Sequence, residues 1–171
     1  MNQTLNDLKT RRSIRKYKTD PIPKELLDQV LEAGTYAPTG MNRQTPVIIA
    51  ITNPDMVKKV SQLNAAVMGG SNDPFYGAPA VLVVLAEKTG TWIYDGSLVM
   101  GNLMLAADSL GIGSCWIHRA KETFEMPEWQ DWLRSLGVEE AYEGIANCVL
   151  GYADIEPKTP PRKDGRVIRE D

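Results

Sequence analysis

A cluster of arginines near the start of the chain is the first group of residues whose types and spacing could do chemistry. Arg11, Arg12 and Arg15 lie within five positions, with Ser13 among them. A guanidinium group carries forked N–H donors that match the oxygens of a phosphate. The cluster also stands out in a chain whose formal net charge is −3. It is a candidate anion site, although such a run of charges can also form a solvated face.

A polar loop offers a second group of donors and acceptors. Residues 37–46 contain two prolines, a glycine and several short polar side chains, so they favour neither helix nor strand. Thr39, Asn42 and Gln44 are its candidate binding residues. A long polar loop that leads into a buried strand often carries a site. The tail adds further positive charge at Arg162 and Lys163.

Several common catalytic sites lack the residues that they need. The chain has one histidine, His118, and two cysteines, Cys115 and Cys148, both in apolar runs. We therefore expect no metal site, no disulfide and no histidine-based triad. The pattern of residues 111–113, Gly-Ile-Gly, follows a predicted helix and precedes a strand, which is the wrong order for a dinucleotide fold.

Four apolar runs predict the buried strands that must position these residues. They span residues 47–51, 79–86, 112–117 and 145–150. Helical periodicity or start signals predict helices around Leu5 and Leu8 and over residues 23–36, 53–63, 95–107 and 127–136, with a polar loop over residues 64–74.

The predicted helix over residues 95–107 is the centre of the chain. Asp95 is its candidate N-cap, and residues 98–107 are apolar on every face except at Asn102. A helix that is buried all round needs a partner surface on each side. The helix alone leaves two alternatives open, the core of a monomer or contact with a second copy of the chain.

Length and composition predict one globular domain over residues 1–171. Residues 1–4 lack the apolar core of a signal peptide, and no apolar run is long enough to span a bilayer, so we expect a cytoplasmic protein. The net charge gives no reason to expect nucleic acid or a membrane as a partner. The tail of residues 154–171 is either a disordered end or an arm that crosses to a second subunit.

Taken together, three segments resemble the small-subunit branch of the FMN-dependent nitroreductase family. The resemblance runs from about Leu8 to Lys163 and rests on the segments Arg11–Tyr17, Ala37–Gln44 and Asp95–Ile117. It implies an α+β fold with a mostly antiparallel sheet flanked by helices. It also implies an intertwined homodimer with two FMN sites at the interface, in which the C-terminal arm crosses to the partner.

The resemblance also implies which residues bind the cofactor. They are Arg11, Arg12, Ser13, Arg15, Pro38, Thr39, Asn42, Gln44, Asn64, Trp116, Ile117, His118, Arg119, Arg162 and Lys163. The arginine cluster and the tail would hold the phosphate and ribityl chain, with Arg15 near the pyrimidine end of the ring. The polar loop would reach the FMN of the other subunit. Asn64 would contact the ring edge, and the backbone of residues 116–119 would face the ring near its N5.

The activity implied by the resemblance is transfer of hydride from NADH or NADPH, through flavin N5, to a small acceptor such as a nitroaromatic or a quinone. A ping-pong order follows if one pocket serves both substrates, and no side chain need act as nucleophile or base. Two alternatives stay open. The chain could be a flavin-binding storage or sensor protein without turnover, or an oxidoreductase of the same fold that is dedicated to one metabolite.

Overall fold

A four-stranded antiparallel sheet forms the centre of the computed structural model, which describes residues 2–170. Met1 and Asp171, the ends of the predicted domain and arm, lie outside the described residues. The strands lie in the order β1-β2-β4-β3, and every neighbouring pair is antiparallel. They are β1 (Val47–Ile51), β2 (Ala80–Glu87), β3 (Gly113–Ile117) and β4 (Tyr142–Gly151). The predicted α+β class with a mostly antiparallel sheet is confirmed.

Six α-helices flank the sheet in the described part of the chain, and a short 3₁₀ helix spans Gly40–Asn42. The α-helices are α1 (Gln3–Thr10), α2 (Lys24–Thr35), α3 (Pro54–Val67), α4 (Trp92–Ser109), α5 (Ala120–Phe124) and α6 (Pro127–Ser135). On one face of the sheet a core cluster joins β-strand side chains to α3, α5 and α6, and on the other face a second cluster joins them to α2 and α4. The sheet therefore carries a helical layer on each face.

Helix α3 extends beyond the predicted end near Leu63 and includes Asn64, which we placed in a polar loop. The helix continues because Asn64 and Ala65 turn inward and are buried. Packing against residues that are distant in the sequence outweighs the weak helix propensity of asparagine. Sequence patterns missed α5 altogether, since its five residues are too few to establish a helical period.

Helix α4 begins at Trp92, with Thr91 as the N-cap, so the predicted N-cap role of Asp95 is wrong. Within the single chain the helix is not buried on every side. Tyr94 is 72% exposed and Leu98 is 47% exposed, although Met100 and Leu103 on the opposite side are completely buried. One face of this apolar helix is therefore left without a partner within the chain.

The start of the tail is fixed against the arginine cluster. Asp154 donates its backbone N–H to the carbonyl of Lys16 at 3.0 Å, and the side chains of these residues form an ion pair at 2.6 Å. Beyond this point the described tail has no helix or strand. Val167 and Ile168 are 77% and 93% exposed. The crossing of the tail to a second subunit stays a prediction. No helix in residues 2–170 is both long and apolar enough to cross a membrane.

Candidate functional site

The arginine cluster and the tail together enclose a cavity of about 480 Å³. Its lining residues are Arg11, Arg12, Ser13, Arg15, Ile155, Pro157, Lys158, Pro160 and Arg162. No carboxylate is among them, so the positive charge of the cavity is not neutralised from within. The structure thus brings together the predicted residues of the cluster and Arg162. Lys158 was not predicted, and Lys163 instead lines a second hollow within the tail, which shares Arg162 with the cavity.

Two guanidinium nitrogens at this cavity are buried without a hydrogen-bond partner in the described part of the chain. They are Nη1 of Arg11 and Nε of Arg12. Nη1 of Arg12 is engaged, because it donates to the carbonyls of Lys9 and Arg11 at 2.7 Å each. Buried donors are almost always paired in folded proteins. Because both residues line the cavity, an anion bound there would lie beside these unpaired donors.

Strand β3 connects the arginine cluster to a second part of the predicted site. Ile14 donates its backbone N–H to the carbonyl of Ser114 at 2.9 Å, and Ser13 forms a parallel bridge with Ser114. The hydroxyl of Tyr17 donates to the carbonyl of Ile14 at 2.9 Å and holds this segment in shape. At the rise of an extended chain, the strand places Ser114 about 13 Å from His118.

The turn at the end of β3 is held by two side chains. Nδ2 of Asn64 donates to the carbonyl of His118 at 2.7 Å, and Nε1 of Trp116 donates to Nδ1 of His118 at 3.1 Å. Arg119 lies in the left-handed region with a φ of 72°, and its Nε is buried without a partner among residues 2–170. The structure thus brings together Asn64 and residues 116–119, which the resemblance assigns to the ring end of the site.

The polar loop is strained, and most of its side chains are exposed. Met41, Asn42 and Gln44 have φ values of 55°, 53° and 52°, and non-glycine residues in this region cost about 1–3 kcal/mol each. Inside the loop, Gln44 donates its backbone N–H to Thr39 Oγ1 and its side-chain amide to Asn42 Oδ1, both at 3.0 Å. Pro38, Asn42 and Gln44 are exposed. None of residues 38–44 lines the arginine cavity, so a single chain does not unite the loop with the rest of the predicted site.

A larger cavity, of about 580 Å³, lies between α3 and the segment of residues 71–80. Its apolar lining includes Val57, Ala65 and Phe75, and its polar lining includes Lys58 and Asp73. No sequence pattern predicted this cavity. It shares no lining residue with the arginine cavity.

Similarity to known proteins identifies the family of this chain. Residues 8–69 and 58–152 match the sequence model of the nitroreductase family. The chain belongs to the nitroreductase family. A protein of Archaeoglobus fulgidus, provisionally named NADH dehydrogenase/NAD(P)H nitroreductase, is 35% identical to this family member over 163 residues, which cover 91% of this chain and 88% of that protein.

The fold is that of solved nitroreductases. The crystal structure of a nitroreductase with bound FMN from Bacteroides fragilis superposes on this nitroreductase-family chain with a TM-score of 0.91, at 31% identity, over the whole of both chains. A similarly named protein of Methanothermobacter thermautotrophicus is 32% identical over 122 residues. That match covers 66% of this chain but only 59% of the length of the Methanothermobacter protein.

Proposed function

We propose that this chain binds FMN and, as a homodimer, uses it to transfer hydride from NADH or NADPH to a small acceptor. The observation that carries the proposal is the arginine cavity. Its buried, unpaired donors on Arg11 and Arg12 are what a phosphate would require, and Ser13, Lys158 and Arg162 lie around the same space. The FMN-bound nitroreductase of Bacteroides fragilis, with the same fold, supports FMN as the phosphate-bearing ligand.

The spacing of the site supports the same ligand. Ser13 lines the arginine cavity and bridges Ser114 near the start of β3. The turn of residues 117–119 lies at the other end of the strand, with His118 about 13 Å from Ser114. This separation suits a molecule with a phosphate at one end of a flexible chain and a flat ring at the other. We propose that the backbone of the turn, positioned by Asn64, borders the ring. The cationic side chain of Arg15, which also lines the arginine cavity, would stabilise negative charge at the pyrimidine end of the ring.

Bound FMN would supply the hydride chemistry, and the protein residues supply binding and electrostatics. We propose nitroaromatics or quinones as acceptors. Donor and acceptor would occupy one open pocket in turn, which gives a ping-pong order.

A homodimer completes the site in this proposal. The loop of residues 38–44 is exposed and lies outside the arginine cavity of its own chain, while one apolar face of α4 is uncovered. A twofold contact through α4 would bury that face and present the loop, with Thr39 and Asn42, to the cofactor of the other subunit. The exposed residues Val167 and Ile168 of the tail would be covered by the partner in the same assembly.

Comparison of FMN with riboflavin tests the phosphate site directly. We expect the cofactor-free protein to bind FMN at least tenfold more tightly than riboflavin, measured by quenching of flavin fluorescence. Arg11→Gln should weaken binding of FMN at least tenfold and leave binding of riboflavin unchanged. Arg134→Gln is the matched control, since this arginine lies in α6 and pairs with Asp131 and Glu140 at the surface. Failure of the unaltered protein to bind FMN would overturn the proposal.

Turnover separates the proposed enzyme from its two alternatives. Steady oxidation of NADH or NADPH with an added quinone is the result expected of the proposed reductase. Binding of FMN without turnover on any donor and acceptor pair would identify a storage or sensor protein. Activity confined to one metabolite, with no reduction of quinones or nitroaromatics, would identify a dedicated oxidoreductase.

A further inference from the structure

Asp95 is a buried carboxylate that takes no part in the arginine cavity. Its side chain is 3% exposed, although it lies in the first turn of α4. Oδ1 accepts the backbone N–H of Gly40 at 2.9 Å, across 55 positions of sequence, and Oδ2 accepts the hydroxyl of Thr91 at 2.9 Å. Among the described residues no lysine or arginine forms an ion pair with it. Burial of a carboxylate without a neighbouring cation is costly in free energy. This cost indicates that Asp95 has a specific structural role.

The partner of Asp95 is the strained loop of residues 39–44. The other hydrogen bonds of these six residues are internal to the loop, so within residues 2–170 the bond from Gly40 to Asp95 is the one that joins them to the rest of the chain. Gly40 also fits closely against α4. A Cβ atom at this position would lie 2.4 Å from Oγ1 of Thr91. One buried carboxylate therefore anchors an exposed loop that has an unfavourable backbone conformation.

We propose that Asp95 is a positioning residue that holds residues 39–44 in the conformation required at the cofactor site of a second copy of the chain. The inference rests on the proposed FMN function. Without its anchor the loop would relax toward less strained conformations, and only a fraction of molecules would present Thr39 and Asn42 correctly. The apparent affinity for FMN falls in proportion to that fraction.

Three variants test this role of Asp95. Asp95→Ala removes both acceptors, and Asp95→Asn keeps one acceptor oxygen for the N–H of Gly40. Ser97→Ala is the matched control one half-turn along α4, because the Ser97 hydroxyl donates to the carbonyl of Ile93 in its own helix. Two quantities are measured: hydrogen exchange of the backbone amides of residues 40–44 in the cofactor-free protein, and the dissociation constant of FMN.

We expect Asp95→Ala to accelerate exchange at Gly40 at least tenfold and to weaken FMN binding at least tenfold. Asp95→Asn should stay within threefold of the unaltered protein in both measurements, and Ser97→Ala should match it. A general loss of stability would instead accelerate exchange throughout α4 and the sheet. Unchanged exchange at Gly40 in Asp95→Ala would overturn the anchoring role, and unchanged FMN affinity with faster exchange would overturn the link to the cofactor.

A fourth variant, Gly40→Ala, tests the anchor from the side of the loop if Asp95→Ala does not fold. Gly40→Ala introduces the Cβ that would lie 2.4 Å from Thr91 Oγ1, so it should separate the loop from α4 and accelerate exchange at residues 40–44. Unchanged exchange in this variant would also overturn the proposal. The exchange measurement needs no cofactor. If the unaltered protein bound no FMN, the proposed function would fail, while exchange would still decide whether Asp95 anchors the loop.

Discussion

The side-chain amide of Asn64 lies 2.7 Å from the carbonyl oxygen of His118 and joins α3 to the turn that ends β3. Asn64 is completely buried, and its Oδ1 has no partner within the described chain. The turn continues into Arg119, whose backbone is left-handed. The buried amide of Asn64 therefore fixes the backbone that, in our proposal, borders the flavin ring. The Oδ1 atom of the same amide is an unpaired acceptor beside this backbone.

Replacement of Asn64 by Ala should destabilise the protein and disturb this turn. The carbonyl of His118 loses its donor, which costs about 1–3 kcal/mol when the group stays buried. Urea unfolding, followed by tryptophan fluorescence, measures the change. Gln62→Ala provides the control, because Gln62 is an exposed neighbour on α3. Equal unfolding free energies for the two variants would contradict the role of Asn64.

Replacement of Leu98 by Glu should convert the proposed homodimer into monomers. Leu98 is 47% exposed on the uncovered apolar face of α4, and a dimer interface there would have to bury the new carboxylate. Light scattering coupled to size-exclusion chromatography gives the mass of the assembly. Leu136→Glu is the matched control, since Leu136 is 50% exposed at the end of α6. A Leu98→Glu protein that stays dimeric would exclude α4 as the interface.

Replacement of Gly144 by Ala should destabilise the folded protein. A Cβ at Gly144 would lie 2.5 Å from the backbone carbon and oxygen of Ala120, so α5 would have to move away from β4. Overpacking of this kind costs about 1–3 kcal/mol. Gly90→Ala should change stability little, because its Cβ meets nothing within 4 Å and its φ is not positive. Thermal unfolding of both variants tests the contrast.

The thiols of Cys115 and Cys148 should be unreactive in the folded protein. They should also lower the free energy of unfolding as the pH becomes alkaline. Burial raises the pKa of Cys115, and it raises the pKa of Cys148 to about 12. At pH 8 we expect a thiol reagent to modify both only after unfolding, because the thiolate is the reactive form. Rapid modification of the native protein at this pH would contradict the burial of the thiols.

The raised pKa of Cys148 also determines how the free energy of unfolding changes with pH. Because folding favours the neutral thiol of Cys148, the stabilising effect is complete below the pKa of an unfolded cysteine, about 8.5. It is lost as the pH rises from there toward 12. The free energy of unfolding between pH 7 and pH 10 should therefore fall more steeply for the unaltered protein than for Cys148→Ala. Parallel slopes would show that this thiol does not contribute.

Much of the fold could be predicted from local sequence patterns. Residues 47–51 form the predicted strand, and the other three apolar runs form strands with ends shifted by a few residues. The arginine cluster and Arg162 could be identified because charged side chains and their spacing are visible in the sequence. Burial of apolar runs and the donor chemistry of arginine are properties of residues and their near neighbours, so they need no knowledge of distant contacts.

Only the tertiary structure decided which distant residues cooperate. Asn64 reaches His118 across 54 positions and Gly40 reaches Asp95 across 55, and neither pair has a sequence signal. The left-handed backbone at Arg119 also depends on such packing, since no glycine marks it. Local propensity determines the elements, but the partners of buried polar groups and the strain in loops are set by how those elements pack.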